Sequence, residues 1–146
     1  MDATREPDAA TLAAIQERID TSPFHTWAGI RLTSLGDGTA ECTMDVQPHH
    51  LNPYEIAHGG AIASVADAAI GIAVRTRLRP GYTHVTAQLD VHYLGMVRVG
   101  DRLIGRGRSL HLGQRMGYGE ADLVDGDEQL VARASATFIV LPPRDG

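Results

Sequence analysis

The hydrophobic positions near the start of the chain recur at helical spacing. Three of them fall on one face of a helix: Leu12, Ile15 and Ile19. The pattern predicts an amphipathic helix over 8–20, with Asp8 or Thr11 as its N-cap. The dipeptide Ser22-Pro23 ends this helix, because the residue before a proline is disfavoured in the α conformation.

A hairpin and a second helix follow. Two strand-like runs, 24–35 and 39–46, flank a Gly-Asp-Gly turn, which predicts a β-hairpin. After a loop over 49–57, a long helical segment covers 60–79. Its interior, AIASVADAAIGIAV, is apolar almost all the way round, which is typical of a buried helix.

The remaining chain alternates between apolar and polar positions. This pattern predicts four strands separated by turn signals: 82–99, 102–111, 114–124 and 129–141. In the first strand one face would carry Val85, Ala87, Leu89, Val91 and Tyr93. Short turns between consecutive strands predict an antiparallel meander. Runs of strands with segregated helices indicate an α+β fold, with a curved sheet around one buried helix.

Length and composition are those of one globular domain. The 146 residues suit a single domain over 1–146, with a core at about 23–141. A lone cysteine, Cys42, excludes an intrachain disulfide and fits a reducing, cytoplasmic compartment. The first twelve residues lack the apolar run of a signal peptide, and no stretch is apolar enough to span a membrane, so no membrane partner is predicted.

The charge distribution narrows the choice of ligand. A net charge of -5 argues against nucleic acid as the main partner, since phosphate backbones require a basic face. Arginines nevertheless outnumber acids across 71–115. An arginine fork suits a phosphate, but the same residues could form a solvated sheet face.

Two glycines at the start of the long helix could bind an oxyanion. Gly59 and Gly60 are expected to leave backbone N–H groups unpaired, at the positive end of the helix dipole. Such donors can stabilise the oxyanion of a reacting carbonyl. The alternative is a plain glycine N-cap or a close helix–strand contact.

Asp67 is the candidate catalytic carboxylate. Between Gly60 and Arg75, Ser64 and Asp67 carry the only polar side chains. An ionised carboxylate is costly on an apolar helix, so a function as a base is one explanation. The structural alternative is an aspartate capped by Ser64 or by a strand hydroxyl.

Three segments of the sequence resemble the hotdog-fold thioesterases of the phenylacetate-pathway type. They are HLNPYEIAHGGAIASVADAAIGIA, VTAQLDVHYLGMVRVGD and LGQRMGYGEADLVDGDEQLVARASATFIV. The resemblance runs from about residue 23 to residue 140. Its specific part is Asn52, then His58-Gly59-Gly60 at the start of the helix, then Asp67.

The resemblance implies hydrolysis of an acyl- or aryl-coenzyme A without a cofactor. Asp67 would act as general base or nucleophile, while Asn52 and the Gly59 N–H of a partner subunit hold the carbonyl. His58 would donate to the same region or order the loop, and Thr86 would position water. Further substrate contacts would come from Gly60, Ser64, Arg108, Gly113 and Arg115, the last three toward coenzyme A. Such relatives form homodimers or dimers of dimers.

Other features leave alternatives open. Glu55 stands where relatives often have glycine, and could be exposed, a second carboxylate near the site, or a contact to a polar acyl group. The histidines lack metal-ligand spacing, so no metal is predicted. A non-catalytic acyl-CoA-binding protein remains an alternative. An enoyl-CoA hydratase fits less well, because His50 and Glu55 replace the Asp and His expected around Asn52-Pro53. The acyl group is not defined, and aryl groups are favoured by the resemblance alone.

Overall fold

The computed structural model describes residues 6–144, so residues 1–5 and 145–146 of the predicted domain lie outside the description. The helices are α1 (Ala9–Asp20), α2 (Pro23–Ala28) and α3 (Gly59–Arg75), with one 3-10 turn at Pro48–His50. The strands are β1 (Ile30–Gly36), β2 (Thr39–Asp45), β3 (Thr83–Tyr93), β4 (Arg102–Leu112), β5 (Met116–Val124) and β6 (Leu130–Leu141). The α+β class is therefore confirmed.

Both predicted helices are present, with shorter bounds. The Asp8 side chain accepts a hydrogen bond from the Thr11 N–H at 2.8 Å, which makes Asp8 the N-cap of α1. Helix α3 stops at Arg75 instead of continuing to residue 79. The buried Thr76 hydroxyl donates to the Ala73 carbonyl at 2.7 Å and accepts from the Gly38 N–H at 2.8 Å, which ties the helix end to the β1–β2 turn. No helix in residues 6–144 is long and apolar enough to cross a membrane.

The predicted strand 24–35 is wrong in its first half, which forms helix α2. Pro23 occupies the first turn of α2, where its fixed φ favours a helix and its missing N–H costs nothing. Gly29 ends the helix with a φ of 72°, and β1 begins at the next residue. Ser22-Pro23 thus separates two helices and also starts the second.

The six strands form one antiparallel sheet in the order β1-β2-β4-β5-β6-β3. The predicted four-strand meander is therefore wrong at its first member, because β3 pairs with β6 and not with β4. The connection from β3 to β4 crosses the end of the sheet. Along the way Leu94 donates to the Val131 carbonyl, and Ala57 donates to the Val97 carbonyl. This path leaves β3 at the edge of the described sheet.

A β-bulge in β3 reverses the predicted alternation of its side chains. The pairing with β6 shifts between Thr86 and Gln88, so one strand gains a residue. Thr86 therefore shares the α3 side of the sheet with Leu89, while Val85 is half exposed. The prediction that Val85 and Leu89 share a face is wrong, because the bulge lies between them.

Helix α3 packs very closely on the sheet. At Gly105 a Cβ atom would lie 3.0 Å from a Val65 methyl group, and at Gly107 it would collide with the Ala69 backbone. Glycine lets the backbone of β4 approach the helix at these two positions. The core forms between α3 and this face of the sheet, which holds the middle of the helix in place.

Candidate functional site

Asp67 lies on the exposed side of α3 and is joined to the edge strand. Thr86 Oγ1 donates a hydrogen bond to Asp67 Oδ1 at 2.9 Å. The two residues line a cleft, here called the carboxylate cleft, together with Phe24, His25 and Ser64. Ser64 donates to the Gly60 carbonyl at 2.8 Å, so the strand hydroxyl and not Ser64 caps the carboxylate.

Two histidines outside the predicted site, His25 and His84, also line the carboxylate cleft. His84 bonds through Nε2 to the Gly71 carbonyl at 2.7 Å, and His25 bonds through Nδ1 to Ser22 Oγ at 2.8 Å. Burial lowers the pKa of both rings, while the negative charge of Asp67 partly opposes the shift. The rings therefore favour the neutral form. No helical or metal-site spacing marks them in the sequence, because they come from α2 and β3.

The two glycines in the first turn of α3 differ in the hydrogen bonding of their backbone N–H groups. His58 is the N-cap, and its Nδ1 accepts from the Gly60 N–H at 2.7 Å. The expectation that the Gly60 N–H is unpaired is therefore wrong. The Gly59 N–H has no hydrogen-bond partner within residues 6–144. The Gly59 carbonyl accepts from the Tyr93 hydroxyl at 2.7 Å, so the backbone is fixed beside a free donor.

Asn52 is fixed by its own loop. Its Oδ1 accepts from the backbone N–H of Tyr54 at 2.9 Å and of Ile56 at 3.4 Å. This arrangement leaves the side-chain NH₂ group without a partner among the described residues. Asn52 and Gly59 line one cleft, here called the amide cleft, along with Tyr93 and Met96. Two unused N–H donors thus belong to the same cleft.

The carboxylate cleft and the amide cleft are separate within one chain. Asp67 lines the first, while Asn52 and Gly59 line the second. Eight residues of helix separate Gly59 from Asp67, which corresponds to roughly 12 Å along the axis. A water attacking a carbonyl has to lie close to both the base and the oxyanion donor. One chain does not bring these groups together.

The three residues predicted to contact coenzyme A lie on or after β4. Arg108 ion-pairs with Glu120 at 3.1 Å and with Asp122 at 3.3 Å. Its neighbour Gly107 packs on α3, so Arg108 occupies the opposite face of the sheet. Gly113 lies in the β4–β5 turn, where its N–H donates to the Met116 carbonyl at 2.8 Å. Arg115 is exposed in the same turn.

One further position that the sequence left open is Glu55. Glu55 is exposed and adopts a φ of 62°, which explains why glycine suits this position. Within residues 6–144, no group of three or more His, Cys, Asp or Glu side chains could hold a metal ion.

The fold, a six-stranded antiparallel sheet around one buried helix, defines the hotdog class. The sequence model of the Thioesterase superfamily matches residues 54–132. The chain belongs to this superfamily and is a thioester hydrolase.

Individual relatives agree with this assignment. The Pseudomonas aeruginosa protein PA0474 is 39% identical over 64% of this chain and 69% of its own length. The acyl-coenzyme A thioesterase PaaI of Escherichia coli is 29% identical over 71% of this chain and 72% of its own length. The structure of the conserved protein PA5202 from Pseudomonas aeruginosa superposes with a TM-score of 0.79 at 31% identity. This match covers 85% of this chain and 98% of that protein.

Proposed function

We propose that this protein hydrolyses an acyl-coenzyme A to a free acid and coenzyme A, with Asp67 as its reactive carboxylate. The observation that carries the proposal is the position of Asp67 in a cleft on an otherwise apolar helix, oriented by Thr86 at 2.9 Å. The similarity to PaaI, an acyl-coenzyme A thioesterase, supports the substrate class.

In the proposed reaction, the carboxylate cleft supplies the reactive carboxylate and the amide cleft binds the carbonyl oxygen. Asp67 takes a proton from a water whose oxygen attacks the thioester carbon, or attacks that carbon directly. The carbonyl oxygen gains negative charge and accepts hydrogen bonds from the Asn52 NH₂ group and the Gly59 N–H. The carbon–sulfur bond then breaks and the thiolate of coenzyme A leaves. On the water path the thiolate takes up the proton held by Asp67. On the direct path the acyl group stays on Asp67 as an anhydride, and a water then hydrolyses this anhydride to the free acid and restores the carboxylate. His58 positions the helix N-terminus by capping Gly60.

A complete site requires two chains in this scheme. The base of one subunit meets the amide cleft of its partner across a two-fold axis, with the two α3 helices antiparallel. A homodimer, alone or paired into a tetramer, satisfies this requirement. Arg108 lies on the opposite face of the sheet from Asp67 of the same chain. We therefore expect Arg108, Gly113 and Arg115 to bind a coenzyme A whose thioester reacts in the site of another subunit.

Substitution of Asp67 tests the proposal. Asp67→Asn keeps the shape of the side chain and removes the base, so kcat on an acyl-CoA panel should fall by about 10²- to 10⁴-fold. Thiol release is the readout, and circular dichroism checks the fold. A mutant that retains half of its activity would refute the role of Asp67. Tight acyl-CoA binding by the wild type without thiol release would instead indicate a binding protein.

Thioesters that lack the nucleotide test the coenzyme A contacts. Arg108→Ala or Arg115→Ala should raise KM for acyl-CoA, with little change in kcat. Neither substitution should change kcat or KM for the corresponding N-acetylcysteamine thioester, which lacks the nucleotide. Equal losses on both substrates would show that the arginine stabilises the sheet.

A further inference from the structure

A second cleft adjoins the carboxylate cleft and contains two arginines. Arg18 of α1 and Arg75 of α3 line it, together with Thr83 and His84 of β3 and three isoleucines, Ile15, Ile19 and Ile72. This arginine cleft has a volume of about 220 Å³. It shares Ile19 and Ile72 with the carboxylate cleft, so the two form one continuous groove along α3.

Neither arginine has a carboxylate partner among the described residues. The ion pairs within residues 6–144 involve other arginines. These are Arg77 and the arginines on the outer sheet face, which is the face that points away from α3. Arg75 is half-buried and donates one N–H to the Tyr82 carbonyl. Burial and the neighbouring Arg18 lower the pKa of Arg75 from its ordinary value. A half-buried cation beside a second cation is costly unless an anion joins them.

The walls of the cleft indicate what such an anion is attached to. Three isoleucines favour an apolar body, while Thr83 and His84 add polar atoms beside the two arginines, so the cleft fits a molecule with an apolar body and a charged end. The groove begins at Asp67, where the thioester reacts, and Arg75 lies eight residues further along the helix, at roughly 12 Å of axial rise. An acyl chain that enters from Asp67 would pass the isoleucines before it reaches the guanidinium groups.

We propose that the arginine cleft binds a carboxylate at the far end of the acyl group, so that the preferred substrates are thioesters of dicarboxylic acids. This inference rests on the proposed acyl-CoA hydrolysis. A guanidinium group recognises a carboxylate through a planar pair of N–H donors, and Arg75 has unused donors on its fork. The two arginines therefore act as specificity residues at a distance from the reacting carbon.

Matched substrates test the proposal through kinetics. Adipyl-CoA and hexanoyl-CoA share a six-carbon acyl chain and differ by the terminal carboxylate. We expect the wild type to favour adipyl-CoA by about tenfold or more in kcat/KM, since charge-assisted hydrogen bonds contribute at this level. Arg18→Gln and Arg75→Gln should reduce this preference mainly through KM, and Arg18→Lys should retain part of it. Arg133→Gln, on the outer sheet face, is the matched control.

Three results would overturn the proposal. The first is the absence of a preference for adipyl-CoA in the wild type. The second is an equal effect of Arg18→Gln on both acyl groups. The third is a loss on both coenzyme A thioesters but on neither N-acetylcysteamine thioester, which would assign the arginines to coenzyme A phosphates.

Binding separates this proposal from the proposed hydrolysis. In the Asp67→Asn background, calorimetry should show tighter binding of adipyl-CoA than of hexanoyl-CoA, and Arg18→Gln should remove the difference. This readout does not depend on turnover. A wild type that binds both thioesters with the expected preference and hydrolyses neither would refute the hydrolysis alone, whereas equal binding would refute the carboxylate site.

Discussion

The hydroxyl of Thr86 and the carboxylate of Asp67 form a hydrogen bond of 2.9 Å that joins the edge strand β3 to the middle of α3. The bond engages Oδ1, and no described residue donates to Oδ2. The carboxylate is thus fixed at one oxygen and available at the other. A base that must accept a proton from water benefits from this arrangement, because its orientation is set before the substrate arrives.

Replacement of Thr86 should therefore affect catalysis more than stability. Thr86→Val keeps the shape of the side chain and removes the donor, so kcat should fall by about tenfold while KM changes little. Thr86→Ser retains the hydroxyl and should keep most of the activity. Steady-state kinetics on one acyl-CoA would test both variants. Equal activity of the serine and valine variants would show that the hydrogen bond is dispensable.

Gly59 should accept a side chain only with a loss of activity. A Cβ atom there would lie 3.2 Å from the Tyr93 hydroxyl, so Gly59→Ala should shift Tyr93 by a few tenths of an ångström and disturb the hydrogen bond that fixes the Gly59 backbone. Complete loss of an oxyanion donor typically lowers kcat by about 10²- to 10³-fold, and a displaced N–H should lower kcat by less than this. The control is Gly126→Ala, where a new Cβ atom would meet nothing within 4 Å. Wild-type kcat in Gly59→Ala would argue against an oxyanion role.

Mixed dimers should regain activity if two chains share each site. When Asp67→Asn and Asn52→Ala chains are unfolded and refolded together, a mixed dimer has one site with both lesions and one with neither. Random pairing makes about half of the dimers mixed, so roughly a quarter of wild-type activity should return. Native mass spectrometry confirms the mixed species. Activity no higher than the average of the parents would show that one chain builds the whole site.

The single tryptophan should report ligand binding. Trp27 is 69% exposed and lines a fourth cleft that shares Phe24 and Ser64 with the carboxylate cleft. An acyl-CoA bound at Asp67 should therefore change the intrinsic fluorescence, because exposure controls the emission of the indole. Titration of the Asp67→Asn protein would measure the change without turnover. An unchanged spectrum at saturation, established by calorimetry, would place the ligand away from α2.

Acidification should destabilise the protein through two partly buried histidines. Burial lowers the folded-state pKa of His84 and His25 below the ordinary value of 6.5. The unfolded chain then binds protons first, so stability is full above about pH 6.5 and falls as the pH drops toward the lower folded-state values. Urea unfolding across this range should show the loss, and His84→Gln should flatten it. His92→Gln, on an exposed position, is the control.

Local sequence signals located most of helix α3. The His58-Gly59-Gly60 start and the apolar run around Asp67 predicted a buried helix, which the structure confirms. The assignment of Gly60 as a free donor was wrong, because capping depends on the rotamer of His58. A dihedral angle of this kind is set by the surrounding fold and not by residue type.

The pairing of the strands could not be predicted from spacing. Consecutive strands usually pair with each other, yet the chain between β3 and β4 crosses the sheet end. The sequence also contains no signal for the bulge at Thr86, although the bulge determines which residues of β3 face Asp67. The arginine cleft could not be predicted either, because Arg18 and Arg75 are far apart in the sequence and line one cleft only in the folded chain.

The glycines of β4 restrict how this enzyme could acquire new substrates. Because any Cβ atom at Gly107 would collide with the Ala69 backbone, β4 and α3 are already in backbone contact, so α3 has no room to move toward the sheet for a different acyl group. Substitutions in α1 and α2 should disturb the fold less. These helices contribute Arg18 and Phe24 to the clefts from outside the sheet. Substrate range in descendants of this chain should therefore diverge through its first thirty residues, while Asp67 stays in register.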